Sequence, residues 1–139
     1  MNILKLAIVS TASWLIGVAA YLSALYFIYG QTAGRADLTA VLFWSFAAAL
    51  IALPLIYLPV MFLLRRFLRG YKPVIAFPVV ASLMFVLPTA FILGMFSLDS
   101  AGFLRSFVSP EALLFYCMFI AVGVTFGLGF VWCFRKAAI

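Results

Sequence analysis

The chain has 139 residues, of which 69% are hydrophobic and 9% charged, with mean hydropathy +1.32 and a formal net charge of +6. A soluble domain is nearer half apolar and a quarter charged, so this chain lacks the polar surface to cover a core in water. With no His at all, it also loses the residue most often used for metal ligation and general base catalysis.

A helix needs about 20 largely apolar residues to cross the hydrocarbon of a bilayer. Four runs meet that length: 6–29, 39–64, 74–97 and 111–134. Apart from Glu111, which opens the last, they hold no Asp, Glu, Lys, Arg, His, Asn or Gln. Period-2 alternation is absent, which excludes a membrane barrel. The expected fold is all-α: a single domain over 1–139, forming an integral-membrane four-helix transmembrane bundle.

The first run follows Lys5 and extends past a signal-type apolar core, so a retained helix is expected. It should end near Tyr29-Gly30, where glycine can terminate a helix. One face carries Ser13, Gly17, Ala20 and Ala24, and side chains this small let helix backbones approach closely. The second run holds Pro54 and Pro59 and overruns the membrane into "LLRRFLRGYKP", with Gly70 as its stop. Pro73 suits the first turn of the third run, which is interrupted by Pro78 and Pro88. Each internal proline removes a backbone donor, so the carbonyls of Leu50, Leu55, Val74 and Met84 need other partners. Ser45, Tyr57, Ser82 and Thr89 are the nearby hydroxyls.

Between the third and fourth runs, "SLDSAGFLRSFVSP" spaces Phe103, Leu104, Phe107 and Val108 as one apolar helical face. A short amphipathic helix at 99–108, lying in the outer interface, is expected. Ser109, Pro110 and Glu111 form an N-cap, first-turn proline and dipole-matched acid for the fourth helix. That helix carries Gly123 and Gly127 at GxxxG spacing. Gly17 and Gly123 lie at matching depth, which predicts antiparallel packing of the first and fourth helices; a homodimer through the Gly123/Gly127 face is the alternative. Phe115, Phe119, Phe126 and Phe130 form a stripe read as core or lipid-facing filling. Cys117 and Cys133 are roughly 24 Å apart on one helix and do not bridge.

Charge sets the topology. Lys5, Arg65, Arg66, Arg69, Lys72, Arg135 and Lys136 gather on one side, and Arg35, Asp37, Asp99, Arg105 and Glu111 on the other. Basic residues accumulate on the cytoplasmic face, so both termini are expected there, in a cell membrane of bacterial inner-membrane type. Tyr26, Tyr29 and Trp44 would mark the outer interface and Trp132 the inner one. Arg65, Arg66, Arg69 and Lys72 could each gain about 1 kcal/mol near anionic headgroups.

No catalytic, cofactor or metal site is expected. The three carboxylates read as solvated loop charges, with an outer-face lipid enzyme using Asp37, Asp99 and Glu111 as a distant option. The primary expectation is a non-catalytic structural or accessory subunit acting through helix packing. Its partners would be membrane lipids and another membrane protein or a second copy, not nucleic acid. The alternative is a homo-oligomeric pore or carrier for an uncharged or lipid-like solute, lined at Pro54, Pro59, Pro78, Ser82, Pro88 and Thr89.

Overall fold

The computed structural model describes residues 3–68, 73–96 and 100–134. Arg69, Gly70, Lys72, Asp99, Arg135 and Lys136 lie outside these described residues. The elements in chain order are α1 (Ile3–Tyr29), α2 (Arg35–Ala52), a π-helical turn (Leu53–Tyr57), α3 (Leu58–Phe67), α4 (Pro73–Leu83), α5 (Val86–Phe96), α6 (Ser100–Ser106) and α7 (Pro110–Phe134). Four helical stretches are long and apolar enough to span a bilayer: Ile3–Tyr29, Arg35–Phe67, Val74–Phe96 and Pro110–Phe134. The protein is an all-α, four-helix transmembrane bundle, and a multi-pass membrane protein.

Local chemistry accounts for the breaks. α1 ends where Gly30 takes φ +63°, a left-handed conformation open to a residue without Cβ. Its amide still donates to the Tyr26 carbonyl at 3.0 Å. In the second span Pro54 has no N–H to offer, and the helix widens there into a π turn in which the Leu58 amide donates to the Leu53 carbonyl. The rod then resumes its α pitch as α3.

The third span differs from a single kinked helix. It divides at Met84-Phe85, where three-residue turns replace the α ladder. The Met84 carbonyl, which Pro88 cannot reach with a donor, accepts instead from the Leu87 amide at 3.1 Å. Just beyond it the Thr89 hydroxyl donates at 2.8 Å to the Phe85 carbonyl, which also accepts the Thr89 amide at 3.4 Å. Where lipid offers no water, such local re-pairing is the cheapest way to keep a proline inside a span.

α7 is the central element. It packs against α1 on one side and α4 on the other. Gly17 of α1 lies against Val122 and Met118, and Gly129 of α7 lies against Val9, so the two helices run antiparallel, as expected from sequence. The residues differ from expectation, however. Gly123 and Gly127 do not face α1. A Cβ on Gly123 would stand 2.5 Å from the Ala81 carbonyl oxygen, and one on Gly127 would stand 2.5 Å from the Pro78 Cα. The GxxxG face is therefore spent on α4, backbone against backbone. The reason is angular: Gly17 meets the Met118/Val122 stripe, and Gly123 is one residue, about 100°, further round.

The four stripe phenylalanines fill the core. Phe126 and Phe130 join Tyr57, Met61, Phe77 and Ala81 in one cluster. Phe115 and Phe119 join Val18, Tyr21, Ile92, Leu114 and Met118 in a second. Polar contacts knit α1 to α2: the Trp14 indole donates to Ser45 Oγ at 3.1 Å, and Ser45 is fully buried.

Candidate binding cleft at the acidic end

The two ends of the bundle carry different chemistry. At one end Lys5 stands 5.3 Å over the Trp132 ring, and Arg65 stands 4.6 Å over Phe134. These cation–π pairs join α1 and α3 to the end of α7. Arg65 and Arg66 are exposed, and the remaining expected headgroup contacts, Arg69 and Lys72, fall outside the described residues.

At the other end the helices part. α1 closes with Tyr21, Leu25 and Tyr29; the link of Gln31 to Gly34 turns into α2; α5 and the start of α7 complete the wall. Together they enclose a cleft of about 740 Å³, open on one side. Ile92, Leu93, Leu114 and Phe115 contribute its apolar surface, Tyr21, Tyr29, Trp44 and Phe96 its aromatic surface, and Asp37 and Glu111 its charge.

Helix capping positions both carboxylates. Asp37 lies in the first turn of α2 and Glu111 in the first turn of α7, where negative charge suits the helix dipole. Gly34 leaves room for the Asp37 carboxylate, whose Oδ2 sits 3.0 Å from where a Cβ would project. Ser109 caps α7 as expected, accepting from the Ala112 amide at 3.2 Å. The segment after α6 is tied down by Tyr116, whose hydroxyl donates to the Phe107 carbonyl at 2.7 Å. α6 itself is shorter than the expected 99–108 helix and sets Phe103 near Gly94 of α5.

Neither Asp37 nor Glu111 has an ion-pair partner among the described residues, and both are exposed. Arg35 and Arg105, the described cations at this end, do not line the cleft. Tyr21 is 7% exposed as a residue, and its hydroxyl, without a hydrogen-bond partner among the described residues, is not fully enclosed. It is close enough to Glu111 and Asp37 to feel both charges.

The sequence-derived positions elsewhere are spent on structure. Ser13 is buried and donates to the Val9 carbonyl at 2.7 Å; Gly17 is buried, and Ala20 and Ala24 are half-buried. Pro54 and Pro59 are exposed, whereas Pro78 and Pro88 are buried. Ser82 donates to the Val79 carbonyl at 2.9 Å, and Thr89 is wholly enclosed. Within the monomer these hydroxyls satisfy their own helices. Cys117 and Cys133 are free thiols.

Sequence reasoning missed three things. Gly129, against Val9, carries the α1 contact that Gly123 was expected to make. Tyr57, the last residue of the π turn and an expected partner for a proline-freed carbonyl, is instead buried with no partner for its hydroxyl. The cleft was missed as well: Asp37 and Glu111 read as solvated loop charges, with their convergence only a distant option, although each opens a helix at the same end of the bundle. No known protein family, curated protein or solved structure matches this chain.

Proposed function

We propose that this chain is a non-catalytic accessory protein of a membrane assembly, one that works by binding at its acidic-end cleft. The observation that carries this reading is the cleft itself. It is a concave, mainly apolar site within the usual ligand-pocket range of about 300–1,000 Å³, with a few convergent polar groups. Its lining holds hydroxyls but no His or Lys to activate one as a nucleophile.

Orientation follows from charge. Lys5, Arg65 and Arg66 lie at the opposite end from the cleft, and basic ends stay cytoplasmic. Both termini then face the cytoplasm and the cleft opens on the far side. Apolar helix faces away from α7, such as Ile8, Leu15 and Phe27 of α1, are exposed and are available to lipid or to a neighbouring subunit.

Extraction of native membranes with a mild detergent, followed by affinity purification of the tagged chain, tests the accessory role. A second membrane protein should return in constant proportion. Repeated recovery of a lone monomer would overturn the role. Reporter tags at the two ends should both be shielded in intact cells, and a tag found outside would reverse the orientation.

A further inference from the structure

We propose that the cleft takes a single small organic cation: a protonated amine carried on an apolar, ring-bearing body. The proposal rests on the reading of the cleft as a binding site and adds the class of its ligand.

Three observations converge on that class. Two carboxylates from different helices, Asp37 and Glu111, face one concave space from which the described cations Arg35 and Arg105 are absent. Unpaired negative charge on both sides of a cleft concentrates cations and repels anions. Next comes Tyr21, more than nine-tenths buried, lining the cleft and within electrostatic reach of both acids, with its hydroxyl unpartnered among the described residues. Its phenol oxygen is not fully enclosed and can accept an N–H from an ammonium held in the cleft. The third is the character of the walls. Trp44 and Tyr29 offer ring faces of the kind that attract cations, and Phe115 belongs to an apolar surface suited to a hydrocarbon or aromatic body.

The same features reject other ligands. A hard metal ion needs six or more oxygens in place of its water, and among the described residues no three His, Cys, Asp or Glu side chains come together. A zwitterionic phospholipid would set its phosphate against two carboxylates. A neutral apolar molecule would gain nothing from the two acids or from the Tyr21 hydroxyl. An ammonium on an apolar body satisfies all three groups.

The purified full chain in uncharged detergent can be titrated calorimetrically with 4-phenylbutylammonium, and with 4-phenylbutanol and 4-phenylbutyrate as size-matched controls. One-to-one saturable binding of the ammonium is expected, with both controls weaker by at least about tenfold, as for loss of a charged hydrogen bond. Asp37→Asn and Glu111→Gln should each weaken the ammonium about tenfold or more, and Tyr21→Phe should weaken it several-fold. Both acids are exposed, so unchanged melting temperatures will show that these variants still fold. Equal affinity for the alcohol, or ammonium binding that survives the double Asp37→Asn/Glu111→Gln change, would overturn the proposal. So would absence of saturable binding across ammoniums of one and two rings. If that negative result came with a co-purifying partner whose lysine cross-links to Asp37 or Glu111, the amine would belong to a protein and only the ligand class would fall. Lone recovery with intact ammonium binding would reject the accessory role and leave the ligand class standing.

Discussion

α7 passes through two unlike environments. From Gly123 to Phe130 its glycines let α4 and α1 press onto its backbone, and Phe126 and Phe130 seal the remaining space. From Pro110 to Phe115 it has no glycine, and Glu111, Leu114 and Phe115 line the cleft together with residues of α1, α2 and α5. Both halves are apolar, so hydrophobicity does not separate them. Side-chain size does. In lipid, helices associate through close packing rather than through escape from water, so a segment without glycine holds its neighbours further off, and that distance becomes usable space.

This contrast can be attacked directly. Gly127→Ala should have the largest effect, because the new methyl meets the Pro78 backbone at 2.5 Å and backbone cannot step aside. A loss of about 3 kcal/mol is expected, the upper range for overpacking, measured by reversible unfolding in mixed micelles. Gly17→Ala meets a Val122 methyl, the end of a side chain that can adjust, and should cost about 1 kcal/mol. If the two losses were equal, the distinction between backbone and side-chain contact would fail.

Tyr57 refines the picture of the tight half. Its hydroxyl is enclosed without a partner, while its ring stacks edge-on to Phe126 at 5.9 Å. Tyr57→Phe keeps the ring and removes the orphan, so the same unfolding assay should report a gain of about 1 kcal/mol. A loss would mean that the hydroxyl finds a partner in the membrane. The smallest effect belongs to the open half. Ala40 is exposed on the cleft, and Ala40→Leu should move stability by less than about 0.5 kcal/mol. The same change should reduce ammonium binding, since it fills the space the ligand would use.

The comparison also explains which readings were accessible from sequence. Gly17 and Gly127 were recognisable as contact residues because small side chains on a helical face have few other uses in a span. Their partners were not recognisable: Gly127 meets Pro78 rather than α1, and a rotation of one residue decides that. Pro88 announced a broken ladder, but the pairing of the Met84 carbonyl with the Leu87 amide depends on a turn the hydropathy pattern cannot register. Phe115, Phe119, Phe126 and Phe130 could equally have faced lipid, because hydrocarbon and protein core are alike to a phenyl ring.

Sequence by itself determined the solvent, the number of crossings and the polarity of the two ends, because these depend on composition and spacing summed along the chain. Tertiary structure alone decided which helix α7 holds by its glycines, where Tyr57 is trapped, and that Asp37 and Glu111 share a cleft with Tyr21. Those outcomes depend on rotations of neighbouring rods about their own axes. In a bilayer nearly every face of a rod is apolar, so hydropathy leaves the rotation open and close packing has to choose it.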